Sequence, residues 1–204
     1  MNNKILTFIG IITGILYIIL DNTIEKFLFD IILKPIPIWC IALYCFNQNK
    51  YLLSIGLIFG SIGDILLTNS EEIFFILGLG SFLIGHIFYI IYFIKNYQYN
   101  LKGLILSIFI IIASIGLSFM LIPALSKNFL LPVLIYIITI TIMTISTTFY
   151  KNFNFIVITG AILFLISDTI IAWNKFIHPI PHSHLYIMIL YYLGQWGIGY
   201  GGSK

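Results

Sequence analysis

Eight apolar runs follow one another along the chain, separated only by short polar connections. They cover residues 5–20, 27–46, 51–68, 73–94, 103–122, 129–149, 154–173 and 184–200. A transmembrane helix needs ~20 mostly apolar residues, so eight would use roughly 160 residues. The chain has 204. What is left is loops, with no room for a water-soluble catalytic domain. The expected fold is an all-α membrane protein, a bundle of about eight transmembrane helices forming one domain over residues 1–204. Composition agrees. Charged residues make up 8% of the chain and hydrophobic ones 60%, whereas a soluble domain carries about 25% charged residues. The mean hydropathy is +1.08. This excludes a disordered chain. A net charge of only +3, scattered along the sequence, excludes a nucleic-acid partner.

The first run follows Lys4 as a signal peptide would. No small-residue cleavage pattern follows Leu20, so it is read as a membrane helix. Lysine placement predicts orientation. One set of connections holds Lys4, Lys50, Lys95, Lys102, Lys151 and Lys204; the alternate set holds Lys26, Lys127 and Lys175, together with Asp21, Glu25, Glu71 and Glu72. The lysine excess puts both termini in the cytoplasm. The reading is a multi-pass integral protein of the bacterial inner (plasma) membrane, in contact with membrane lipids. Cys40 and Cys45, five residues apart, point to different sides of a helix and read as core residues rather than a disulfide.

Ionisable groups inside spans are expensive and mark functional sites. Lys34, Asp64, His86 and Asp168 stand out, with Gln195 as a buried amide. Gly56, Gly60 and Asp64 recur every four residues and share a helix face. Ala161, Asp168 and Ala172 share one likewise, so both carboxylates point toward protein. Gly78, Ser81, Gly85, Tyr89 and Tyr92 form a stripe of small and hydroxylated residues that His86 borders. His86 reads either as part of the chemistry or as a packing histidine bonded to a carbonyl. Lys34, before Pro35, either snorkels to the headgroups or holds a lipid phosphate. The segment His178-Pro179-Ile180-Pro181-His182-Ser183-His184 matches no strong zinc spacing, and no metal site is read there.

The two halves echo each other. Gly63-Asp64 matches Ser167-Asp168, Gly85-His86 matches Gly194-Gln195, and Lys34-Pro35 faces Leu131-Pro132. Four spans per half would make a parallel four-plus-four pseudo-repeat. Helix rise puts Asp64 and Asp168 ~6–8 Å, and Lys34 ~10 Å, below the outer ends of their spans. His86 and Gln195 lie ~17–20 Å down. Contact between His86 and either aspartate would then need tilt, a kink or a water chain.

These segments, in order from the second span to the eighth, resemble the lysoplasmalogenase family, also called the YhhN or TMEM86 family. The pieces are Lys34-Pro35, the glycine-rich run to Gly63-Asp64, Gly85-His86-Ile87-Phe88-Tyr89, Gly160 through Asp168 with Ala172, and Tyr191-Tyr192-Leu193-Gly194-Gln195. The last departs slightly, since a small residue such as Ala is expected where Gly194 stands. The resemblance implies an eight-helix membrane hydrolase without an organic cofactor. It would cleave the vinyl ether bond of a lysophospholipid, the lysoplasmalogen, to a fatty aldehyde and glycerophosphoethanolamine or glycerophosphocholine.

A vinyl ether resists base and yields to acid. Hydrolysis begins with proton transfer to the β-carbon, so the site needs a protonated acid, a negative charge near the cation and a base for water. Two carboxylates in different environments can supply these. Asp64, Asp168 and His86 are the catalytic candidates, with either aspartate as the acid. Lys34, Tyr89, Gln195 and Ser167 are candidates to bind substrate. Lys34 would hold the phosphate and must stand away from the acid. The alternative is a proton-coupled transporter that uses the same Asp, His and Lys as a relay.

Overall fold

Inside lipid a backbone must satisfy its own hydrogen bonds, which leaves helices and closed barrels. The computed structural model describes residues 3–20, 26–151 and 153–204, without the side chains of 26–29, and it is all-helical. Asp21 and Glu25, which entered the charge comparison, lie outside the described residues. The helices are α1 (Asn3–Leu20), α2 (Lys26–Leu33), α3 (Ile36–Asn47), α4 (Tyr51–Leu66), α5 (Glu72–Ile94), α6 (Leu101–Leu121), α7 (Lys127–Thr148), α8 (Phe155–Phe176) and α9 (Ser183–Ser203). A 3-10 turn, Ile122–Ala124, extends α6. One isolated antiparallel bridge joins Tyr97 to Tyr150 between two loops.

Six segments are long and apolar enough to cross a membrane: Asn3–Leu20, Asp30–Asn47, Glu72–Ile94, Leu101–Ala124, Lys127–Thr148 and Phe155–Phe176. The protein is therefore an integral, multi-pass membrane protein. The other two expected spans fall short for different reasons. α4 has 16 residues, about 24 Å of helix against a hydrocarbon core of ~30 Å. α9 has 21 residues, but glycines, serines and Gln195 dilute its apolar character.

The turns follow local chemistry. Asn100 caps α6 by accepting from the Gly103 N–H at 2.6 Å. Asn49, at φ 59°, takes the left-handed conformation that asparagine tolerates and reverses the chain between α3 and α4. Lys34-Pro35 and Leu131-Pro132, paired in the sequence, behave differently. The first separates α2 from α3, where Pro37 removes a second N–H close by. Pro132 lies inside an unbroken α7.

α4 packs on α5, α8 on α9, α5 on α7, α3 on α1, α4 and α9, and α6 on α7. Glycine makes the two closest pairings. A Cβ at Gly85 would come within 2.8 Å of the Gly56 carbonyl oxygen, locking α5 to α4. A Cβ at Gly160 would reach Gly194 O at 2.8 Å and Ile198 N at 2.7 Å, locking α8 to α9. Gly194 has equally little room: a Cβ there would stand 3.0 Å from Gly160 O. α6 presents Ile105, Phe109, Ile112 and Phe119 outward, as a lipid-facing helix does. Both cysteines are free and buried. The Cys45 thiol donates to Gly199 O at 3.4 Å.

Candidate active site

The break at Lys34-Pro35 builds the first part of the site. Ile38 N–H donates to Pro35 O at 3.0 Å, so the Lys34 carbonyl has no helical donor. The buried Tyr192 hydroxyl on α9 donates to it instead, at 2.9 Å. The Lys34 side chain runs to the end of α4. Its Nζ donates to the Asp64 carbonyl oxygen at 3.3 Å and stands 3.9 Å from Asp64 Oδ1. The last carbonyls of a helix lack intrahelical partners and favour a cation. Lys34 thus caps α4 and neutralises the carboxylate there, and both residues are buried. Lysine and Asp64 do share a layer, as helix rise predicts, but as an ion pair.

The second aspartate has different company. The Tyr136 hydroxyl of α7 donates to Asp168 Oδ2 and stands 3.0 Å from His86 Nε2. Asp168, Tyr136 and His86 therefore form one hydrogen-bonded line across α8, α7 and α5. A tyrosine spans the depth difference between His86 and Asp168.

A third group gathers on α9. The Tyr89 hydroxyl donates to Gln195 Oε1 at 2.7 Å. Gln195 Nε2 then lies over Gly60 of α4, where a Cβ would stand 3.1 Å from it and 3.5 Å from the Tyr191 hydroxyl. Tyr191, one turn before Gln195, places its hydroxyl beside the Asp64 carboxylate, outside hydrogen-bond geometry. Among the described residues, four buried side-chain polar atoms lack a protein partner: Asp64 Oδ2, Tyr191 Oη, Gln195 Nε2 and His86 Nδ1. All four belong to this region. Unpaired buried polar groups are rare and costly, so their concentration marks a place built to meet a polar molecule. Ser167 lies elsewhere: fully buried, it donates to Ile187 O of α9 at 3.1 Å, a helix-to-helix bond.

A narrow cavity opens among α5, α6, α7 and α8. Its walls are mostly apolar, with Phe82, Leu117, Ile137 and Leu165 among them, and Asp168 and Tyr136 stand in the wall. An apolar lining with a few convergent polar groups is the character of a ligand site. Phe82, in the cavity wall, also packs on Tyr191 and on the Gly63 backbone, next to Asp64. Lys34, Asp64, Tyr89 and Gln195 do not line the cavity.

Sequence reasoning missed three participants. Tyr136 and Tyr191 sit in apolar runs where tyrosine reads as packing. Asp30 is buried inside an expected span and accepts from the Tyr17 hydroxyl at 2.9 Å, while that hydroxyl stands 3.1 Å from His184 Nε2. His184 of the histidine-rich segment thus joins a second polar cluster with α1 and α2. No group of three His, Cys, Asp or Glu able to hold a metal occurs among the described residues.

No solved structure matches the chain. Curated proteins do. Human lysoplasmalogenase TMEM86A is 30% identical over 183 residues, 80% of this chain and 74% of its own length. Mouse lysoplasmalogenase TMEM86B is 28% identical over 171 residues, 80% of this chain and 71% of its own. Human lysoplasmalogenase TMEM86B shares 53% identity over a 36-residue stretch, 18% of this chain and 16% of its own. The family profile that matches, over residues 29–201, takes in every residue of the site just described, and the chain belongs to the YhhN family.

Proposed function

We propose that this protein is a lysoplasmalogenase, hydrolysing the vinyl ether of a lysoplasmalogen to a fatty aldehyde and a glycerophospho-headgroup. The observation that carries the reading is the contrast between two carboxylates, the buried Asp64 and the half-buried Asp168. Asp64 is paired with Lys34, whereas Asp168 meets a phenol in the wall of an apolar cavity. The relatives' names support the same substrate and lend nothing to a proton-coupled transporter.

The contrast divides the labour. Asp168 is the acid: it faces the space where an apolar chain lies, with the Tyr136 hydroxyl to orient it. Its proton goes to the β-carbon of the vinyl ether, and an oxocarbenium ion forms at the α-carbon. Asp64, kept ionised by Lys34, supplies the compensating negative charge. Water held among Asp64 Oδ2, Tyr191 Oη and Gln195 Nε2 gives a proton to Asp64 and adds to the α-carbon. The hemiacetal then breaks its bond to the glyceryl oxygen, which takes the proton that Asp64 accepted, while the hemiacetal hydroxyl gives up its own proton and aldehyde is released. Tyr136 and His86 reload Asp168: a hydroxyl that both donates and accepts passes a proton along the line. Tyr89 fixes the Gln195 amide.

Purified protein is expected to release aldehyde from a lysoplasmalogen and none from the saturated alkyl ether, which has no double bond to protonate. Asp168→Asn and Asp64→Asn are each expected to lower kcat by about 100-fold or more. Turnover at the wild-type rate by both variants refutes the roles.

Two architectural proposals accompany this. The helix pairings recur in the two halves: α4 on α5 as α8 on α9, and α5 on α7 as α9 on α3. That supports the parallel four-plus-four relation. The lysine excess supports cytoplasmic termini.

A further inference from the structure

Lys34 is occupied at the end of α4, 3.9 Å from a carboxylate and outside the cavity wall. A phosphate brought to it would face Asp64 at close range. Another lysine stands where the cavity ends. Lys175 is exposed in the last turn of α8. Its Nζ lies 4.4 Å from the centroid of the Phe75 ring and 5.7 Å from that of Phe129. Phe75, Phe129 and Phe176 pack edge to face in a cluster, and two of them, Phe75 and Phe176, also line the cavity. No carboxylate comes within ion-pair distance of Lys175 among the described residues. The aromatic seat holds the ammonium in place by cation–π attraction and leaves its outer side open.

We propose that Lys175 anchors the phosphate of the lysolipid headgroup at the aromatic end of the cavity that contains Asp168. The spacing supports it. Asp168 and Lys175 are seven residues apart on α8, about 10 Å along the axis and within about 20° of the same face. In a lysoplasmalogen seven bonds separate the vinyl β-carbon from phosphorus. An extended covalent chain advances ~1.2 Å per bond, so that separation is ~8–9 Å. A phosphate on Lys175 therefore sets the β-carbon beside Asp168. Lys175 sits near the helix end, where a headgroup meets water, and the acid lies deeper, where the alkenyl chain begins.

The inference rests on the lysoplasmalogenase reading, and one experiment separates the two. Purified full-length protein is assayed for aldehyde release from a lysoplasmalogen and from a 1-alkenylglycerol, which has the same vinyl ether and no phosphate. Lys175→Gln is expected to reduce the ratio of kcat/KM, phospholipid over glycerol ether, by about tenfold, through KM. Lys175→Arg is expected to restore most of it, and Lys127→Gln, a lysine at the same end, to leave it unchanged. The proposal is overturned if Lys175→Gln leaves the ratio unchanged, or if Lys34→Gln lowers it instead. Inhibition by inorganic phosphate at or below the KM of the lysolipid would assign the site to free phosphate and overturn the headgroup. If the wild type releases no aldehyde from either compound, the lysoplasmalogenase reading fails alone. Binding of a saturated alkyl lysophospholipid then decides the anchor: weakening of about tenfold in Lys175→Gln upholds it, and equal binding overturns it.

Discussion

Tyr136 is the hinge of the surroundings of Asp168, since its hydroxyl touches both Asp168 and His86. Tyr136→Phe removes that oxygen and keeps the ring. It is expected to lower kcat for lysoplasmalogen about 100-fold with little change in KM, as measured by aldehyde release under saturating and limiting substrate. Lys34 makes a different demand. Lys34→Met leaves Asp64 buried without its cation and is expected to destabilise the protein by about 3–5 kcal/mol, with Lys34→Met/Asp64→Asn recovering part of the loss. Thermal unfolding of the single and double variants measures both, and the difference isolates the pair. The ionisable members Lys34, Asp64, His86 and Asp168 were legible in the sequence because a charge in an apolar run stands out. Tyr136 and Tyr191 were not: a phenol serves as packing or as chemistry, and only the partner across the bundle decides. Asp30 escaped because its partner Tyr17, which also meets His184, comes from another helix.

Between elements, the close crossings of α4 with α5 and α8 with α9 position the site. Gly60 gives space to Gln195 and Tyr191, and Gly160 lets α9 approach α8. Gly160→Val drives side-chain atoms into the α9 backbone and is expected to cost about 1–3 kcal/mol or more. Gly80, where a Cβ meets nothing within 4 Å, provides the control. Gly80→Ala is expected to be neutral or stabilising by up to about 1 kcal/mol, and thermal unfolding in one detergent compares the two. The glycine spacing and the apolar runs made these helices readable in advance. The different fates of Pro35 and Pro132 were not readable. Each proline removes one N–H, and whether the helix continues depends on what else is nearby: Pro37 and the Tyr192 hydroxyl at the first, an intact turn at the second.

For the whole molecule, orientation decides from which side the site is fed. The orientation proposed from the lysine excess has the α5–α6 loop inside and the start of α7 outside. A single cysteine at Lys102→Cys, on a Cys40→Ala/Cys45→Ala background, is expected to react with an impermeant maleimide only after cells are opened. One at Lys127→Cys is expected to react in intact cells. Labelling of both in intact cells would reverse the topology or break it.

The Lys34–Asp64 ion pair is buried. Mobile ions reach such a pair poorly, whereas they screen an exposed charge over ~10 Å at 0.1 M. Raising sodium chloride from about 50 mM to about 500 mM shortens that screening distance roughly threefold. The melting temperature is expected to stay nearly constant over this range. The KM for the phospholipid is expected to rise, because its phosphate meets Lys175 at the water's edge. Ionic strength thus acts on capture of the substrate and spares the scaffold, so a protein so poor in charge still answers to salt at one end of its cavity.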